Sequence, residues 1–153
     1  MKPEGLQPLI DEVDTVRNAW KMNNLDIEDP TQCKWILEGS FPRLTSAIQE
    51  ALRISSSVIS MRLVQEDTTF GGYRFHKGEK VLCATRAVHM DEEIHNSPWD
   101  FLPDRYLNGT KFGKKGKVVP NHTMPFGGGV SMCEGRCVPI DLGLFLLFII
   151  HGL

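Results

Sequence analysis

Apolar residues recur at helical spacing near the start of the chain. Leu6, Leu9, Ile10, Val13 and Val16 share one face of a helix, which predicts a helix over residues 5–22. A polar stretch rich in Asn and Asp follows and ends at Asp29-Pro30. Ser40-Phe41-Pro42 then reads as a helix start, with Ser40 as the cap and proline tolerated in the first turn. Leu44, Ala47, Ile48, Ala51 and Leu52 continue that helix on one face. Over residues 58–63 the period falls to two: Ile59, Met61 and Leu63 point one way, Ser60 and Arg62 the other. Gly71-Gly72 and Lys77-Gly78 mark turns, and Val81-Leu82-Cys83 reads as a further strand, so these pieces predict a small antiparallel sheet. Residues 98–132 hold Pro98, Pro103, Pro120 and Pro125 among several glycines and keep no period. They predict a long irregular segment, and such segments in compact domains often carry function. After Cys133 the chain turns apolar again, which predicts a final helix. The expected fold class is mainly α with a small antiparallel β-sheet.

A chain of 153 residues is long enough for one domain with a real core. A 41% hydrophobic and 24% charged composition is that of a soluble globular protein. The net charge of −2 supplies no general attraction to nucleic acid or to an anionic membrane, so neither is expected as a partner on charge grounds. The cysteines, Cys33, Cys83, Cys133 and Cys137, are too few and too irregular for a disulfide framework, and no C-x-x-C pair occurs. Reduced thiols facing the cytosol are the expectation. The polar opening Met1-Lys2-Pro3-Glu4 does not read as a signal peptide, and the apolar run from Leu142 to Ile150 is too short to span a bilayer. Without a secretory signal, the sequons at Asn108 and Asn121 are expected to stay unmodified.

The chemistry concentrates in Phe126-Gly127-Gly128-Gly129-Val130-Ser131-Met132-Cys133-Glu134-Gly135, an F-x-x-G-x-x-x-C-x-G pattern. Glycine lets a backbone approach a flat ligand closely. Amide N–H groups of such a loop can aim at the sulfur and tune its electron donation. A helix starting just after the cysteine would add a favourable dipole. Upstream, Glu50 and Arg53 lie three apart on the second helix and share a face; most such pairs are solvated surface charges. Phe101-Leu102-Pro103-Asp104-Arg105 adds an F-x-P-x-R match. Lys111, Lys114, Lys115 and Lys117 read as a solvated flexible loop, and Trp20, Trp35 and Trp99 as packing residues. Cys133 and Cys137 sit four apart without a second ligand pair, which speaks against zinc.

These three motifs, in this order and rough spacing, resemble the cytochrome P-450 family. The resemblance implies the C-terminal part of that fold: J and K helices, a small sheet, the meander, the haem-binding loop and the L helix, forming a single partial domain over residues 1–153. Phe41 to Arg53 looks like the K helix; Tyr73 to Val81 looks like the strand-turn-strand ahead of the meander; His89, Asp91, Pro98 and Phe101 look like the residues leading into it. Carried over to this chain, Cys133 is the axial ligand of haem b (iron protoporphyrin IX), with Phe126, Gly127, Gly129 and Gly135 shaping its loop. Arg62 matches an arginine that pairs with a haem propionate. His89 is a structural or propionate-side residue rather than an iron ligand. Glu50, Arg53 and Arg105 match a buried ionic network, which must be complete because one unpaired buried charge is costly.

Leu52-Arg53-Ile54-Ser55-Ser56-Ser57, Gln65-Glu66-Asp67 and Met124-Pro125-Phe126-Gly127 resemble the steroid 7α-/12α-hydroxylase and prostacyclin synthase branch. That branch often lacks the Pro-Pro common near Ser56-Ser57 and the basic residue common at Ser131. Ser57, Val58 and Ile59 would then lie near an apolar, sterol-like substrate. Glu134 stands where proline is common, and Pro139 could interrupt the last helix. The tail from Asp141 matches poorly, and no anchor or I helix is expected in this chain. The resemblance implies a haem-dependent monooxygenase that takes electrons from an NADPH-dependent reductase, with the lysine run as a second-choice docking site for an acidic donor. A full-length relative would sit at the endoplasmic reticulum membrane, facing the cytosol. The alternatives are a haem-thiolate isomerase of prostacyclin synthase type and a truncated, non-catalytic piece.

Overall fold

A computed structural model describes residues 6–22, 41–129 and 132–136. Expectations for Ser40, Trp35, Ser131, Cys137, Pro139 and the final helix fall outside these residues. The chain divides into two compact units, one from Met1–Ile54, Trp99–Lys111 and Glu134–Leu153, the other from Ser55–Pro98 and Phe112–Cys133.

In the first unit, helix α1 spans Gln7–Met22 and helix α2 spans Pro42–Ser55. Leu9 and Val13 of α1 meet Phe41, Leu44 and Ala47, with Val16, Ile48 and Phe101 packed around them. The spacing of four between Leu9 and Val13 puts both on one stripe. Leu6, expected on the same stripe, is exposed. The start of α2 is held from a distance: Glu12 of α1 accepts the backbone N–H groups of Arg43 (2.9 Å) and Leu44 (2.8 Å). A carboxylate there satisfies two orphan donors and meets the positive end of the helix. Ser46, inside α2, accepts the N–H of Tyr106 through its hydroxyl at 3.0 Å.

In the second unit, β1 (Ile59–Leu63) pairs antiparallel with β4 (Lys80–Ala84), and β2 (Thr68–Phe70) with β3 (Tyr73–Phe75). The two-residue turn at Gly71-Gly72 has φ of 60° and 84°, values glycine adopts at no steric cost and hairpins favour. The expected small antiparallel sheet takes the form, among the described residues, of separate two-stranded antiparallel ladders. On β1–β4 the register aligns Met61 with Leu82, and Ile59, Met61, Leu63 and Leu82 are all exposed. The alternation of β1 was legible, but it does not turn an apolar face into a core in this chain.

Helix α3 (Thr85–His89) follows β4 directly, with Thr85 tied to the carbonyl of Val58 through its N–H and its hydroxyl. Residues 98–129 hold more regular structure than their composition predicts. Leu107–Gly109 forms a 3₁₀ turn, and β5 (Gly113–Lys114) pairs with β6 (Lys117–Val118). Lys115 and Gly116 make the turn at φ of 51° and 75°. Strands of two residues are too short to show a period, so the hairpin left no pattern to read. Lys114, Lys115 and Lys117 of the lysine run therefore belong to a hairpin, and Lys114 pairs with Asp91 and Glu93. Trp99, expected in packing, is exposed. After Cys133, the described residues Glu134–Arg136 form one 3₁₀ turn.

Candidate functional site

Two constellations carry the expected residues. The first lies in the first unit around Glu50. One turn along α2, Arg53 forms a two-pronged bond, Nε to Oε2 and NH2 to Oε1, both at 2.8 Å. Arg105 adds Nε to Oε1 at 2.8 Å, and the N–H of Leu102 donates to the same oxygen at 3.1 Å. Both arginines also donate to the carbonyl of Asp100, at 3.5 and 3.2 Å. Glu50 and Arg53 are fully buried, and Arg105 is 8% exposed. Planar guanidinium forks suit this arrangement, since each matches a carboxylate edge. Burial alone would push the Glu50 carboxyl up. Hydrogen bonds from Arg53, Arg105 and Leu102 outweigh it and hold the group below its ordinary value. The site is a closed charge assembly, fit to fix the 99–105 segment on α2 and offering no open carboxylate for acid–base chemistry.

The second constellation is the loop that ends at Cys133. It opens at Met124, whose carbonyl accepts the N–H of Gly127 at 3.2 Å. The Phe126 carbonyl accepts the N–H of Cys133 at 3.0 Å, and the Gly129 carbonyl that of Met132 at 3.2 Å. Gly127 and Gly129 take φ of 78° and 69°, and a Cβ at either would meet nothing within 4 Å. The glycines are thus required by backbone conformation, and both face open space. The Cys133 thiol is free and exposed.

The loop is anchored by side chains from elsewhere in the second unit. Ser56 donates its hydroxyl to the Pro125 carbonyl at 3.1 Å. His89 Nε2 accepts the N–H of Met124 at 2.8 Å. His95 Nε2 contacts the His122 carbonyl at 2.9 Å. The Phe112 ring stacks on His122 with centroids 3.9 Å apart, and burial pushes the His122 imidazole down in pKa. Arg62 is exposed on β1 and donates to the carbonyl of Met61. It makes no hydrogen bond to the Cys133 loop among the described residues. Phe126 is half-buried, and Gly135 is exposed within the 3₁₀ turn.

Sequence reasoning had marked His89 and Ser56, the first by its H-x-D setting and the second as a departure from Pro-Pro, without their partners. His95 and Glu12 carried no local signal, because their partners lie 27 and 31 or more residues away.

Residues 2–144 match the sequence model of the family described as Cytochrome P450. The chain belongs to the cytochrome P450 family. It is 33% identical to pig (Sus scrofa) Cytochrome P450 7A1 over 97% of this chain and 32% of that protein. It is 38% identical to the human 7-alpha-hydroxycholest-4-en-3-one 12-alpha-hydroxylase over 71% of this chain and 24% of that protein. Among solved structures, a zebra fish cytochrome P450 with abiraterone matches at a TM-score of 0.68 and 25% identity, over 95% of this chain and 31% of that one. The retinoic acid-bound cyanobacterial CYP120A1 matches at a TM-score of 0.62 and 26% identity, over 93% of this chain and 32% of that one. This P450 chain spans about a third or less of the relatives it matches. The similarity to 7α- and 12α-hydroxylases agrees with the steroid hydroxylase branch read from residues 52–57, 65–67 and 124–127. In this P450 the described residues contain no helix long and apolar enough to cross a membrane.

Proposed function

We propose that this chain is the thiolate-bearing part of a haem-dependent monooxygenase for an apolar, sterol-like substrate, with Cys133 as the axial ligand to haem b. The observation that carries the reading is an exposed cysteine closing a loop whose positive-φ glycines face open space. A prosthetic group held by one protein sulfur fits the exposed Cys133 thiol.

When bound, the haem supplies the activation of molecular oxygen. Cys133 would hold the iron and donate electron density through its sulfur, and Gly127 and Gly129 would leave room for a flat macrocycle. Phe126, Gly135 and Arg62 would complete the group, with Arg62 pairing with a propionate. Ser57, Val58 and Ile59 border the substrate. Glu50, Arg53 and Arg105 act structurally by fixing the segment that leads into the loop. Both units belong to one partial domain over residues 1–153. Electrons come from an NADPH-dependent reductase, and the whole protein works at the endoplasmic reticulum membrane.

The test is the reduced, carbon monoxide-treated difference spectrum of the chain supplied with haem, beside Cys133→Ala. A long-wavelength Soret band in the parent and its loss in the variant support the assignment. A parent band that survives Cys133→Ala overturns it, as does a parent that takes up haem with no thiolate band.

A further inference from the structure

Two buried histidines grip the entry to the Cys133 loop through opposite faces of their chemistry. His89, at the end of α3, and His95, six residues on, are both fully buried. Each reaches the segment 122–124 through Nε2. The partner of His89 is the backbone N–H of Met124, which can only donate, so Nε2 must carry a lone pair. That fixes His89 as a neutral imidazole with its proton on Nδ1. The partner of His95 is the backbone carbonyl of His122, which can only accept, so Nε2 must carry a proton. A donor and an acceptor two residues apart thus hold one short piece of chain.

The chain of contacts continues to the backbone of Cys133. Met124, held by His89 at its N–H, uses its carbonyl to accept from Gly127. Two residues on, the Phe126 carbonyl accepts the N–H of Cys133. A shift of Met124 would move both ends of this turn. We infer that His89 is the positioning residue for the Cys133 thiolate, acting through Met124 in its neutral Nδ1–H form, while His95 in the opposite tautomer fixes the register one step earlier. This rests on the reading of Cys133 as the haem ligand. It requires an uncharged acceptor at residue 89, which glutamine supplies at the same reach and phenylalanine does not. At residue 95 it requires a donor.

The experiment has a haem-free arm and a haem arm. In the first, ¹⁵N spectra of the labelled imidazoles of the chain are recorded, with amide exchange at Met124. His89 should show an acceptor-type Nε2 and His95 an N–H-type Nε2. The Met124 amide should exchange about tenfold faster in His89→Phe than in the parent or His89→Gln, the loss of roughly one net hydrogen bond. In the second arm, the carbon monoxide spectrum of the haem-supplied chain should keep its thiolate band in His89→Gln and lose it in His89→Phe. Matching tautomers at the two histidines, or equal Met124 exchange in the parent and His89→Phe, overturns the inference. So does a thiolate band that survives His89→Phe. If His89→Phe does not fold, His89→Gln decides in its place: a glutamine variant that lacks the band the parent shows counts against the inference. A parent without the band overturns the Cys133 assignment, and the tautomers and exchange rates still decide whether His89 grips Met124.

Discussion

The Glu50 assembly and the Cys133 loop achieve order by different means. Around Glu50, two guanidinium groups and the backbone N–H of Leu102 converge on one buried carboxylate, and the Asp100 carbonyl accepts from both arginines. In the loop, the backbone bonds to itself through positive-φ glycines, and the side chains that matter are two buried histidines and a serine. A buried charge cannot be left unpaired, so the first arrangement stands or falls as a unit. A loop held by backbone bonds has no such rule; each anchor contributes by itself, and its sulfur is left exposed. One region is a closed, buried assembly, and the other presents an exposed thiol on a supported backbone.

The comparison breaks first at Glu50. Replacing it in Glu50→Ala leaves two buried guanidinium groups without their carboxylate and should cost about 3–5 kcal/mol. Urea unfolding of the parent and variant chains checks this, and a cost near that of a surface substitution would refute the unit behaviour. Acid probes the same group more gently. Glu50 is held below its ordinary value of 4.5 when folded. Its contribution is therefore complete above the unfolded value and is lost as the pH falls through the folded one. Unfolding midpoints recorded at falling pH should drop in the parent and flatten in Glu50→Gln.

The loop should respond in smaller steps. At Gly127, with φ of 78° and no neighbour within 4 Å of an added Cβ, alanine brings only backbone strain. The expected cost is about 1–2 kcal/mol, the penalty of a left-handed conformation for an L side chain. A larger loss, read from the same urea curves, would mean that the open space is not open in solution. Smallest is Ser56→Ala, which removes one hydrogen bond to the Pro125 carbonyl and should cost about 1 kcal/mol. The hydrogen bonds given for Glu50 run to Arg53, Arg105 and Leu102 and that of Ser56 to Pro125, so the two losses should add in the double variant. Strong non-additivity would show that the two regions are not independent.

Much of this molecule could be read from local pattern. The period of α1 and α2 followed from Leu9, Val13, Leu44 and Ala47 because a helix buries one stripe, and Gly71-Gly72 marked its hairpin because few other residues tolerate that turn. The i,i+3 spacing of Glu50 and Arg53 placed them on one face, and the ordered motifs added Arg105 and Cys133. What spacing could not decide was burial. The same Glu-x-x-Arg on a surface would be solvated; here Leu102, Asp100 and Arg105, about fifty residues on, close over it.

The sequence by itself therefore determined α1, α2, the Gly71-Gly72 turn and the family. Only the tertiary structure decided which polar groups meet across long separations: Glu12 with the start of α2, Ser56 with Pro125, His89 with Met124 and His95 with His122. It also left Ile59, Met61, Leu63 and Leu82 exposed on a strand pair whose alternation looks like that of a buried face. The physical reason is the same in each case. Local propensity depends on neighbours along the chain, whereas the free energy of a buried hydrogen bond or an apolar face depends on which groups the fold brings within a few ångströms.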